Sequence, residues 1–136
     1  MTATTVERNT PRRAAAELSF PAAVAKILAG TIVVLNASGF AEPGATATGK
    51  KCVGVADATV DNTGGSAGDL EVPIKRGTFL FENSATTDEI TDADYGADCY
   101  VVDNQTVAKT DGANTRSIAG KVRGVDAASG RVWVEF

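Results

Sequence analysis

The sequence predicts an all-β fold, a small β-barrel or sandwich of short antiparallel strands preceded by an extended N-terminal arm. Three observations favour it: short apolar runs alternate with glycine-bearing turns, aromatic residues make up only 6% of the chain, and 14 of 136 residues are glycine. This length fits one domain with a modest core. We therefore divide the chain into an arm, residues 1–17, and a single β-rich domain, residues 18–136.

The arm has a basic motif and lacks apolar periodicity. Its central residues read Arg8-Asn9-Thr10-Pro11-Arg12-Arg13. Proline disfavours helical geometry in the residue before it, so we expect this segment to be extended, and sixteen extended residues would span about 50 Å. A disordered terminus without a role is the alternative. We favour an arm that binds a partner.

The first half of the body is predicted to contain strands at residues 24–28, 31–35, 51–55 and 56–60, followed by a wide loop at residues 61–68. Leu70, Val72 and Ile74 then alternate with polar residues, which is typical of a half-buried strand. Pro73 has no backbone N–H to donate. This strand is therefore predicted to be an edge strand or to carry a bulge.

The second half continues the pattern of strands and turns. A strand is predicted at residues 78–81, one helical or 3₁₀ turn within residues 90–96, and hairpins that pair residues 99–102 with 106–108 and 118–125 with 132–136. A weak internal echo is also present: residues 52–57 resemble residues 122–126, and residues 70–74 resemble residues 132–136. A duplicated hairpin is one explanation of this echo, and we favour the other, that any small barrel reuses such a unit. Closing about eight such strands into a barrel would remove exposed edges.

Trp133 is the single tryptophan of the chain, and it lies in the last predicted strand. Alternation places it on the face opposite Val132 and Val134. A buried position is the usual one for a tryptophan in a strand, and an anchor at a protein interface is the alternative.

The net charge of −4 is unevenly distributed. Residues 1–16 carry Arg8, Arg12 and Arg13 against Glu7, which gives +2, so the remainder carries 10 basic and 16 acidic residues, which gives −6. An acidic body repels phosphate backbones, so we expect no nucleic-acid partner. A basic arm is attracted instead to acidic protein surfaces, including that of a second copy of this chain.

No segment predicts a membrane partner or an export signal. The apolar run at residues 32–35 is too short to span a bilayer. Glu17, Pro21 and Lys26 interrupt the apolar run that a signal peptide requires. We therefore expect synthesis as a soluble chain in the cytoplasm.

The sequence lacks the residue patterns of an enzyme, a cofactor site or a metal site. It contains no histidine, and Cys52 and Cys99 have neither a disulfide framework nor metal-ligand spacing. Residues 44–51 nearly match the phosphate-binding pattern GxxxxGK[ST], but Lys51 stands where Ser or Thr must hold Mg²⁺, and a strand is predicted where a helix is needed. The acidic residues at positions 57, 61, 69, 92 and 94 do not follow the calcium-loop pattern. We predict no catalysis, no cofactor and no metal.

With these motifs in view, the chain resembles the small capsid decoration (cement) or minor capsid proteins of tailed phages, close to the Mu-like group. The resemblance runs over nearly the whole chain and is carried by the arm motif and by residues 29–36, 43–49, 60–65, 75–79 and 99–107. It implies a β-rich homotrimer that binds the outer face of the major capsid protein, at threefold and quasi-threefold points of the virion. It supplies no catalytic residue.

Within this hypothesis the arm would grip the shell. We expect Arg8, Arg12 and Arg13 to form charge-assisted hydrogen bonds with capsid carboxylates, because the guanidinium binds carboxylates in a bidentate manner. The predicted partner-contact residues are Arg8, Asn9, Thr10, Pro11, Arg12, Arg13 and Trp133. The alternative is a receptor- or glycan-binding module of a tail fibre or baseplate that uses the loop at residues 61–68.

Overall fold

The computed structural model describes residues 3–11 and 18–136, and within them the body is all-β, as predicted. Two single 3₁₀ turns, Thr86–Asp88 and Asp92–Asp94, lie between β8 and β9. The strands are β1 Leu18–Pro21, β2 Lys26–Ile27, β3 Ile32–Leu35, β4 Ala41–Pro43, β5 Lys51–Ala56, β6 Val60–Asp61, β7 Glu71–Lys75, β8 Thr78–Asn83, β9 Asp98–Val101, β10 Thr106–Ala108, β11 Ile118–Val125 and β12 Val132–Glu135.

Ten of these strands form two five-stranded units. The N-terminal unit, residues 18–77, is a sheet with the strand order β1-β7-β5-β3-β4. The C-terminal unit, residues 78–136, is a closed barrel with the order β10-β8-β12-β11-β9. Strands β2 and β6, which also lie within residues 18–77, pair only with each other and are not part of this five-stranded sheet. The predicted small β-barrel is therefore present, but the chain closes it from its last five strands rather than from about eight.

The two units repeat one topology. When the strands of each unit are lettered a to e in chain order, both units have the order a-e-d-b-c, and all of these neighbours are antiparallel. Strand c also meets strand a in parallel in both. This contact is a ladder between β10 and β8 in the barrel and one bridge between Ala22 and Ala41 in the sheet.

The repeat extends to the register of individual residues. In each unit one residue of strand d has no partner in strand b. This residue is Val53 in the N-terminal unit and Ala119 in the C-terminal unit, and a glycine follows each of them, Gly54 and Gly120. The same alignment superposes Phe20 on Phe81, Val33 on Cys99, Val72 on Val132, and Ile74 on Val134. The sequence echo does not correspond to this repeat. The repeat covers the whole unit and aligns Gly54 with Gly120, whereas the echo aligned Gly54 with Gly124.

Strand β3 explains how the two units share a core. Ile32 and Val34 pack with the buried residues of the C-terminal barrel, whereas Val33 packs with those of the N-terminal sheet. Successive residues of a strand point to opposite faces, so a strand with both faces buried needs an uninterrupted apolar run. The segment Ile-Val-Val-Leu of β3 meets this requirement.

Pro73 lies in a strand that has neighbours on both sides and pairs with them without a register shift, so the prediction of an edge strand or a bulge is wrong. Strand β7 pairs with β1 on one side and with β5 on the other. The Asp57 amide donates to the Pro73 carbonyl over 2.9 Å, one residue past the end of β5 at Ala56. The N and O of one strand residue point to the same side. A backbone N–H at residue 73 would therefore point beyond the end of β5, so the missing donor of Pro73 removes no hydrogen bond between β7 and β5.

Several local predictions are confirmed. The 3₁₀ turn at Asp92–Asp94, the β9–β10 hairpin and the long strand β11 all occur where the sequence indicated. The predicted strand at residues 24–28 shortens to β2, which pairs only with β6.

Candidate functional site

Every residue of the described part of the arm, residues 3–11, is exposed, and this part forms neither helix nor strand. Its hydrogen bonds join Thr4 and Val6: the Thr4 hydroxyl donates to the Val6 carbonyl over 2.9 Å, and the Val6 amide donates back to the Thr4 Oγ1 over 3.3 Å. Arg8, Asn9, Thr10 and Pro11 are all open to solvent. Arg12 and Arg13, also predicted contact residues, lie outside the described residues.

Trp133 lies on the outside of the C-terminal barrel. Its neighbours in β12, Val132 and Val134, are fully buried, whereas Trp133 is 40% exposed. Leu80 of β8 is paired directly opposite Trp133 and is half-buried. The expectation that Trp133 is a buried core residue is therefore wrong, because alternation along β12 turns it away from the core. Trp133 and Leu80 form an apolar pair on the outside of the barrel, in which Trp133 is exposed and Leu80 is half-buried.

Ion pairs flank this apolar pair, and together they make up what we call the outer face. Three cations and three carboxylates are involved, so the outer face carries no net charge. The Arg123 guanidinium also lies over the Tyr95 ring, 5.4 Å from its centroid. The ion pairs are Arg123–Glu135 at 2.5 Å, Arg131–Glu82 at 2.8 Å and Lys121–Asp98 at 2.6 Å.

The net charge of the body is concentrated in the C-terminal unit. The N-terminal unit has 5 basic and 5 acidic residues, whereas the C-terminal unit has 5 basic and 10 acidic residues, a net charge of −5. Each of the five basic side chains in the C-terminal unit is already in an ion pair. Five carboxylates of this unit, all in connecting segments, are left without a compensating cation in the described structure.

An open cleft of about 340 Å³ lies where the two units meet. Its lining includes Cys52 and Ile118, which are equivalent positions of the two units. Burial raises the pKa of Cys52 to about 12 and that of Cys99 to about 11. Both thiols are therefore protonated at neutral pH, and a protonated thiol is a poor nucleophile and a poor metal ligand.

The segment that resembles a phosphate-binding loop has a different structure. Residue Lys51 begins β5, and the predicted strand is thus confirmed. The Lys50 ammonium is paired with the Glu42 carboxylate. A phosphate-binding loop points its backbone amides at the phosphate from the start of a helix. This segment leads into a strand instead and therefore lacks that arrangement of amides.

The loop at residues 61–68 is held by a buried asparagine that the sequence analysis did not single out. Asn62 is only 2% exposed. Its side-chain amide donates to the carbonyls of Ala22, Ala23 and Ser66 over 3.3, 3.1 and 2.9 Å. A run of Gly, Asn and Ser is a turn signal, but only the fold places three inward-facing carbonyls around one amide group.

A second set of polar residues braces one end of the barrel. Arg116 donates to the Asp88 carboxylate over 3.2 Å and to the Thr110 carbonyl over 3.1 Å. The hydrogen bond from the Thr110 hydroxyl and the nearby Arg116 lower the pKa of Asp88. The pKa of Asp94 is lowered mainly by the hydrogen bond from the Thr91 amide. These carboxylates stabilise loops, and the described residues include no group of three His, Cys, Asp or Glu side chains that could hold a metal ion.

Comparison with known proteins assigns the chain to no family. No protein-family model matches it, and neither a curated protein nor a solved structure shows significant similarity to it. Over residues 3–11 and 18–136 there is also no helix with the length and apolar character that crossing a bilayer requires.

Proposed function

We propose that this chain is a capsid decoration protein of a tailed phage, which binds the outer surface of the major capsid protein lattice as a homotrimer and stabilises the shell. The observation that carries the proposal is the exposed arm, with Arg8 and Pro11 open to solvent ahead of a rigid all-β body. The arm motif is also the most distinctive part of the resemblance to decoration proteins.

The mechanism would be mechanical bridging. An extended arm reaches beyond its own body, and about 50 Å of reach is enough to contact a neighbouring subunit. Pro11 restricts the backbone and so lowers the entropy lost when the arm is ordered on a partner. Three arms acting together would make individually weak contacts collectively strong. Joined neighbours resist separation under the pressure of packaged DNA without any chemical reaction.

Mass analysis of virions purified from the phage that encodes this chain tests the proposal directly. We expect the chain in a copy number comparable to that of the major capsid protein. Its absence from purified particles would refute the proposal.

A charge-reversal experiment tests the role of the arm. The variant carries R8E, R12E and R13E. The matched control carries K26E, K51E and R76E, which change the net charge equally but lie in the body and form no ion pair in the described structure. A single exposed ion pair between an arm arginine and a capsid carboxylate contributes little, but the contributions add over three arms. We therefore expect the arm variant to bind undecorated shells at least about 30-fold more weakly than the control. Equal binding by variant and control would contradict this role.

A further inference from the structure

We infer that the outer face of the C-terminal barrel, centred on Trp133 and Leu80, is the surface through which two copies of this chain contact each other. The inference rests on the proposed function only for the view that copies of the chain assemble. It goes beyond the proposed function because it assigns the contact to a surface of the barrel rather than to the arm.

The internal repeat allows each position of the C-terminal barrel to be compared with the equivalent position of the N-terminal sheet. Residue types that both units share are the ones that the common topology requires. Inward-facing positions of strands a and e are apolar in both units, as Phe20 and Phe81 are. The outward-facing positions differ. Leu80 aligns with Ser19, and Trp133 aligns with Pro73. The N-terminal unit therefore builds the same strand pair with a serine and a proline at these two positions, so the shared topology does not by itself require a leucine and a tryptophan there. Exposed tryptophan is enriched at the centres of protein interfaces.

The charge distribution selects a second copy as the occupant. Each chain has a net charge of −4, and the C-terminal unit carries −5, so two copies repel each other over most of this unit. On the outer face each carboxylate is paired with a cation of the same chain. Another copy can approach there without bringing uncompensated like charges together. Glu82 and Glu135 are about half exposed, so their cations can be shared across the contact.

The size of the outer face predicts how strong the contact is. Four strands about 4.8 Å apart and about six residues long cover roughly 400 Å². A stable interface buries about 800 Å² on each partner. Self-association through this face alone should therefore be weak in solution. It becomes effective when several copies are held side by side on one shell, because tethering raises their effective concentration.

The test uses the full-length chain in the absence of any shell. Trp133 is the only tryptophan, so its emission reports on the outer face alone. Sedimentation equilibrium and emission spectra are measured together from about 10 µM to about 1 mM, the range expected for an interface of this size. We expect reversible association, with the emission of Trp133 moving to shorter wavelength as the oligomer forms. Added salt should strengthen the association, because it screens repulsion between like-charged chains.

Leu80→Ser is the decisive variant, because the N-terminal unit already carries serine at the equivalent position, Ser19. The control is Leu70→Ser, which removes a leucine that is 43% exposed on the N-terminal unit. We expect L80S to weaken self-association about ten-fold and L70S to leave it unchanged. Thermal unfolding of both variants verifies that each remains folded.

Three outcomes would overturn the inference. The first is a chain that remains monomeric with constant emission over the whole range. The second is an equal effect of L80S and L70S. The third is association that salt weakens and that R8E, R12E and R13E abolish, which would identify the arm of a second copy as the occupant. A failure to bind shells would instead refute the proposed function and leave this result unaffected.

Discussion

Gly120→Ala tests whether the close approach of β11 and β12 is essential to the barrel. A Cβ atom at Gly120 would collide with the carbonyl oxygen of Glu135 and would lie 3.1 Å from a methyl group of Val134. The obstacle is the backbone of β12, so rotating a side chain does not relieve the collision. Forcing an extra carbon into a packed site costs about 1–3 kcal/mol.

The internal repeat supplies an independent second variant. Gly54 occupies the equivalent place in the N-terminal unit, where a Cβ would lie 2.7 Å from the carbonyl oxygen of Lys75. Gly54 also has a φ of +139°, which a residue with a side chain rarely adopts. This backbone strain adds about 1–3 kcal/mol. We therefore expect Gly54→Ala to destabilise more than Gly120→Ala.

Thermal and urea unfolding, followed by circular dichroism, measure both effects. For a chain of this size 1 kcal/mol corresponds to roughly 3–5 °C in Tm, so Gly120→Ala should lower Tm by about 3–15 °C. The control is Gly64→Ala, because a Cβ there meets no atom within 4 Å and should change stability by less than about 0.5 kcal/mol. If Gly120→Ala unfolded at the same temperature as this control, the packing argument for β11 and β12 would be refuted.

Three further predictions concern buried and titratable groups. Asn62→Asp keeps the size of the side chain but loses the amide that donates to three carbonyls, so we expect a loss of about 1–3 kcal/mol in urea unfolding, and wild-type stability would contradict this role. Asp88 and Asp94 have lowered pKa values in the folded protein, so their ionised carboxylates stabilise the fold at pH values above the unfolded-state pKa of about 3.9. This contribution is lost as the pH falls through their folded-state pKa values. Thermal unfolding across pH 5 to about 2 should therefore show falling stability, less steeply in Asp88→Asn, and parallel curves would refute the assignment. Cys52 and Cys99 should react with a thiol reagent at pH 8 much more slowly in the native protein than after unfolding, since their raised pKa values keep them protonated, and equally rapid reaction in both states would contradict the raised pKa values.

The sequence by itself determined the fold class and many of the local elements. Period-two alternation in β7 and β12, together with turn residues around β9, β10 and β11, indicates strands because these signals depend only on neighbours along the chain. The same reasoning identified the exposed basic motif around Arg8. It also rejected the phosphate-binding loop at Lys50, where the strand that follows was visible in the apolar run of β5.

Only the tertiary structure decided the arrangement of these elements. Pro73 seemed to require an edge strand, yet β7 has two neighbours because β5 ends opposite the proline. Trp133 is exposed because its alternating neighbours face the barrel interior. The sequence did not show the repeat of the two units, because the repeat lies in the pairing of strands that are distant along the chain. Packing fixes which face of a strand is buried and which strands are neighbours, and no local pattern carries that information.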